Sequence, residues 1–161
     1  MKPRVSVTVL TVVFAVASFL LTRVIWPDAP DAPQPAAGQL PFFIVLGVIE
    51  SLTFGLGVAF IVYGLPLVRR FAPASERSTW LPWAMYVSVA WQLVSWWPHD
   101  NLHRVNGENF GGLLLIEYGF HVTLQVSAVI IAAFFLSALR SIERSRHPAA
   151  TMPASPAAMP A

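Results

Sequence analysis

The chain has no cysteine and a single lysine among its 161 residues. Without cysteine there is no disulfide, no thiolate ligand and no cysteine nucleophile, so any metal must be held by nitrogen and oxygen donors. Charge is scarce as well. Only 11% of the residues are Asp, Glu, Lys or Arg, against roughly 25% in an ordinary soluble domain. So few charges cannot cover a water-exposed globule of this size. The net charge of +2 comes from clustered arginines and offers no basic stripe for nucleic acid. An internal repeat, a glycine-rich phosphate loop and a nucleophile motif are also missing.

What fills the chain is apolar: 56% of residues are hydrophobic and the mean hydropathy is +0.63. A bilayer core of about 30 Å needs roughly 20 apolar residues in helical form. Four stretches fit, at about 5–26, 41–68, 81–97 and 111–139. Backbone groups in hydrocarbon must satisfy one another within a segment, so these are helices. The sequence therefore predicts an all-α integral membrane four-helix bundle, one domain over 1–146, with a disordered Pro/Ala-rich cytoplasmic tail at 147–161 that includes His147. The first segment has basic residues ahead of it, as a signal peptide would, but its long apolar core reads as an uncleaved anchor.

Basic residues set the direction. Lys2 and Arg4 precede the first segment, Arg69, Arg70 and Arg77 lie between the second and third, and Arg140, Arg144 and Arg146 follow the fourth. Eight of the ten positive charges thus fall on one side, which places both termini in the cytoplasm. Nine arginines to one lysine, with abundant Ala, Pro and Val, suit a GC-rich bacterial genome and hence a bacterial inner membrane. Trp80 and Trp83 read as one interfacial aromatic belt, and Trp26, Trp96 and Trp97 as the other. The proline-rich linker after Trp26 reads as extended, with Asp28 and Asp31 as solvated charges.

The polar chemistry is concentrated in WWPHDNLHRVNGENFGG, residues 96–112. Pro98 suits the first turn of a short helix. On that helix His99 and His103 lie one turn apart on one face, with Asp100 able to orient a histidine. Asn106-Gly107 reads as a turn. Within the apolar segments three ionisable groups recur: Glu50, Glu117 and His121. They sit about 9 to 15 Å below the outer helix ends at 1.5 Å per residue. A charge at bilayer depth costs about 2.5–3.5 kcal/mol or more, so each calls for a partner. Glu117, His121 and Gln125 form one stripe at four-residue spacing, and Ser88, Gln92, Ser95 and His99 form another. Burial of these stripes against Glu50 and Thr53 would give the bundle a polar interior.

Three functional readings follow. In the first, His99, His103, Glu117 and His121 bind a transition metal such as zinc, iron, copper or manganese, with Asp100, Glu50 and Gln92 in support, because each pair has the spacing that helical metal sites use. In the second, Glu117, His121 and Glu50 form a metal-free acid–base site acting on a lipid-like substrate, or a proton relay, with Arg104 placed to meet a phosphate. In the third the polar residues only hold helices in register. The expected partners are the lipid bilayer and, through the small-residue ridge Gly47, Ser51, Gly55 and Ala59, either a neighbouring helix of the chain or a second copy or membrane partner.

Overall fold

The computed structural model describes residues 3–32, 34–74, 77 and 79–146. The expected tail with His147, together with Lys2 and Glu76, lies outside the described residues. Those described form helices and turns, with no strand among them. The helices are α1 (Pro3–Ile25), α2 (Leu40–Phe71), α3 (Leu81–Val94), α4 (Trp96–Asn106), α5 (Phe110–Glu117) and α6 (Thr123–Arg146). A π-helical turn, Tyr118–Val122, joins α5 to α6 without a break. Three stretches are long and apolar enough to cross a bilayer: Val5–Ile25, Leu40–Phe71 and Phe110–Arg146. Most of their large apolar side chains face outward, as lipid contact requires.

The third expected crossing is shorter than the sequence suggested. α3 has 14 residues and spans about 21 Å at 1.5 Å per residue, less than a bilayer core. The helix bends at Ser95 and resumes as α4. Pro98, in the first turn of α4, has no N–H to give the carbonyl of Val94, so the ladder is interrupted where the chain bends. The fourth segment instead runs longer than expected, to Arg146.

The long helices stand in a row: α1 packs on α2, α2 on α3, and α3 on α6, while α1 and α6 do not pack as a pair. A closed bundle around one polar interior was the expectation. The chemistry of the seams explains the difference. α1 meets α2 through small residues on both sides, with Ala15 and Ser18 of α1 and Ser51, Gly55 and Ala59 of α2 all buried. A Cβ at Gly55 would run into the Thr11 carbonyl oxygen and come within 2.8 Å of the Ala15 nitrogen. The small-residue ridge is therefore spent on an internal contact. Gly57 faces the other way, where a Cβ would meet Leu93 and Val94 of α3. On α6 the line in contact is Leu124, Ser127 and Phe134. Gln125, about 100° round from Leu124, is exposed rather than buried in a polar stripe.

The two ends of the row differ. At the α2–α3 connection Val68, Ala72, Met85 and Phe134 form a small apolar core, backed by Phe60 and Tyr86. At the other end the α1–α2 linker folds over α4. It is not extended: Ala32 N–H donates to Ala29 and Gln39 N–H to Ala36, closing two turns, and Ala29 N–H donates to the carbonyl of Arg104 at 2.9 Å. Trp97 belongs to this packing rather than to an interfacial belt. It is buried, donates from Nε1 to Thr22 Oγ1 at 3.1 Å and contacts the rings of Trp26 and Phe54. Trp80 and Trp83 stay exposed.

Gly55→Val should therefore pry α1 from α2. Overpacking a close seam costs about 1–3 kcal/mol, visible as a lower thermal midpoint in detergent. Gly47→Ala is the control, because a Cβ there meets only Phe19 Cε2 at 3.8 Å; its midpoint should match the parent.

Candidate metal centre

α4 is amphipathic in the way the site needs. His99 is buried on the face that packs toward Phe120 and His121, with ring centroids 5.2 and 5.0 Å away. Trp96 closes another side at 6.0 Å. One turn later His103 brings its Nε2 to 3.1 Å from His99 Nε2. The helix ends at Gly107, whose φ of +57° and close approach to Asp31 both suit glycine. The Asn109 side chain then accepts from Gly112 N–H at 3.2 Å and caps α5. That short reversal returns the chain so that Glu117 faces α4.

Glu117 is shared. Its Oε1 lies 3.4 Å from His103 Nε2, and its Oε2 lies 2.6 Å from His121 Nδ1. One donor atom from each of His99, His103 and Glu117 falls within 4.8 Å of the others, so these three can hold a metal ion. Bonds of about 2.0–2.1 Å in a tetrahedron put neighbouring ligand atoms about 3.4 Å apart. The His99–His103 and His103–Glu117 separations match that edge. Asp100 completes the arrangement: its Oδ1 is 3.0 Å from His99 Nδ1. A carboxylate on Nδ1 holds the proton there and turns the Nε2 lone pair toward the centre, as in carboxylate–histidine–metal triads.

The remaining expected residues fall elsewhere. His121 stands behind Glu117, on its second oxygen, outside the three converging donors. The Gln92 amide is engaged between helices. Its Nε2 donates to the Leu124 carbonyl at 2.6 Å and ties α3 to α6. Glu50 lines, together with Asp100, His99 and His103, a cavity of about 1100 Å³ beside the site. The π turn between Glu117 and Thr123 widens the helix and frees carbonyls. Thr123 Oγ1 takes up those of Gly119 and Phe120 at 2.6 and 3.0 Å and in turn accepts from Trp91 Nε1 at 3.0 Å. Such turns recur at functional sites.

Sequence reasoning missed the clamp above the site. Arg104 does not await a phosphate; it grips Asp28 with two bonds, Nε at 2.8 Å and Nη2 at 2.9 Å. Arg23 at the end of α1 reaches the same carboxylate at 2.5 Å. Asp31 is occupied as well, accepting from Glu108 N–H. Both linker acids are thus bonded, Asp28 within the clamp and Asp31 at an exposed position. The partners lie some 76 residues apart in sequence, and no spacing rule connects them. Comparison with protein-family models, curated proteins and solved structures found no match.

The hydrogen bond from Arg104 holds the Asp28 carboxyl below the ordinary aspartate value; burial opposes this and the charges of Arg23 and Arg104 add to it. A depressed acid stabilises the fold fully above its unfolded value and loses that contribution as pH falls through the folded one. Asp28→Asn should thus lower stability at neutral pH by about 1 kcal/mol, a value kept small for solvent screening. Unfolding curves of parent and variant should converge below the ordinary aspartate range. A constant difference across that range would mean that Asp28 acts by shape alone.

Proposed function

We propose that this chain is a multi-pass membrane protein that binds a divalent transition metal on His99, His103 and Glu117. Zinc is the first choice, since it accepts two imidazoles and a carboxylate and two of the donor separations lie near a tetrahedral edge; iron and copper accept the same donors. The observation that carries the reading is the pair of donor separations, 3.1 and 3.4 Å, with Asp100 already on the far nitrogen of His99. Three protein ligands leave a fourth position for water or substrate, the pattern of catalytic rather than structural zinc. Asp100 orients His99, and His121 holds the second oxygen of Glu117. The distribution of arginines, with α3 and α4 together returning the chain between α2 and α5, supports cytoplasmic termini and a centre at the outer face of a bacterial inner membrane.

A metal-free acid–base pair is the second reading. It is favoured by the 2.6 Å contact of Glu117 with His121, a distance at which a proton passes directly between carboxyl and imidazole.

Elemental analysis of protein purified without chelator separates the two. The metal reading expects about one zinc, iron or copper per chain, lost in His103→Ala and Glu117→Gln. His121→Ala should keep the metal but weaken its affinity about 10- to 100-fold, as loss of an outer partner does. Parent protein that stays metal-free after incubation with zinc at neutral pH would leave the acid–base pair as the better account.

A further inference from the structure

The polar stripe Glu117, His121 and Gln125 is only partly used by the metal centre. Glu117 serves the centre, and His121 holds its second oxygen through Nδ1. The stripe then continues on the outside of the molecule, where His121 and Gln125 are both exposed. Gln125 has no hydrogen-bond partner among the described residues. It belongs to a stretch long and apolar enough to cross a bilayer, roughly 22 Å along the helix from Phe110 at 1.5 Å per residue. That depth lies within a hydrocarbon core of about 30 Å. Lipid tails offer an amide neither donor nor acceptor, so an unpaired one there is costly. The side chain is also too short to reach the headgroups as a lysine or arginine does.

The fold leaves this face uncovered because α6 ends the helix row. It packs on α3 through Leu124, Ser127 and Phe134. Gln125 points elsewhere, in line with His121, Ala128 and Ala132 at helical spacing, all of them exposed. The two alanines would let another backbone come close to the amide. At the opposite end of the row α1 presents Val9, Val13, Val16 and Leu20, exposed and apolar, a surface that lipid satisfies. Only the α6 end calls for protein. Membrane insertion then narrows the choice of partner. Two copies of one chain insert in the same direction, so a two-fold axis between them runs along the membrane normal and equivalent side chains meet at equal depth. A carboxylate or an ammonium would repel its counterpart in that position. A carboxamide carries both donor and acceptor, so Gln125 is its own complement.

We propose that this chain forms a parallel homodimer through α6, with Gln125 of each copy hydrogen-bonded to its counterpart and with Ala128 and Ala132 forming the close seam. The contact is isologous and α1 offers no matching face, so assembly closes at two copies. The interface lies on the α6 face away from α3, and His121 stands at its edge behind the metal centre.

The test uses the full chain in phosphatidylcholine liposomes, one fluorophore per chain, with photobleaching steps counted as the protein is diluted in lipid. Two-step particles that give way to single steps on dilution are expected. Gln125→Leu puts an apolar side chain on the exposed face and should shift the dissociation midpoint by about tenfold toward higher protein density, the scale of interhelical hydrogen bonds. Ala132→Leu should shift it in the same direction by spreading the seam, and serves if Gln125→Leu fails to fold. Cysteine chemistry gives a second readout, because the chain has no cysteine and a single one can form a disulfide only between copies. Ala132→Cys should cross-link under iodine oxidation well above the collision rate set by Val13→Cys on α1. A parent that is monomeric at every dilution would overturn the proposal, as would a midpoint unchanged in both leucine variants. Equal cross-linking by Ala132→Cys and Val13→Cys would do so too. Ala132→Cys joined to a different protein in native membranes, with the parent monomeric in pure lipid, would assign the face to another partner and overturn the homodimer.

Discussion

Asp28 holds the functional end of the molecule in place. Its carboxylate receives two bonds from Arg104 of α4 and one from Arg23 of α1, in a loop whose Ala29 N–H donates to the Arg104 carbonyl and whose Asp31 accepts from Glu108 N–H just after α4. Isolated surface ion pairs contribute about 0–1 kcal/mol. A bidentate arginine within a network constrains more, because its planar fork fixes direction as well as distance. A half-polar helix of eleven residues is too short to be stable alone, and the clamp acts with the buried Trp97, packed on Trp26 and Phe54, to seat α4. The position of His99 and His103 over α5 depends on it.

Two breaks in regular helix then bring the donors together. Pro98 releases α4 from the line of α3, and the π turn at Tyr118–Val122 carries the chain from α5 into α6. The π turn leaves carbonyls to satisfy, which the Thr123 hydroxyl takes up, and the Asn109 side chain likewise caps the start of α5. Irregular backbone at this depth is tolerated only where protein or a polar cavity surrounds it. The chain has gathered both breaks around the same four histidine and glutamate side chains.

Much of this was legible in the sequence, and the legible part is local. Hydropathy located the apolar helices, and Pro98 and Asn106-Gly107 marked the short helix and its turn. The i, i+4 spacings brought His99 to His103 and Glu117 to His121. Long-range geometry was not legible. Nothing in composition tells Asp28 that Arg104 will be its partner. Gln92 offered a stripe position on α3, but it found the Leu124 carbonyl, because α6 packs through Leu124, Ser127 and Phe134. The closed bundle failed for a related reason: periodicity names the face that packs and leaves open which helix it packs on. The small-residue ridge on α2 was read correctly as a packing surface; its partner, α1, is an apolar helix whose own small residues, Ala15 and Ser18, are diluted among valines and phenylalanines.

The division between local and distant contacts also bears on how the metal centre and the cavity beside it are built. His99, His103 and Glu117 come from consecutive elements, α4 and α5, so bringing them together closes a loop of about a dozen residues. The entropic cost of closure grows slowly with length and is small at this size. The cavity, by contrast, needs α1, α2, α4 and the linker in register, and so exists only once the helix row and the Asp28 clamp have formed. A metal bound at the local centre would stiffen α4 against α5, and a stiff α4 presents Arg104 to Asp28 at lower cost. Ion and clamp would thus favour the same arrangement of α4 from its two faces.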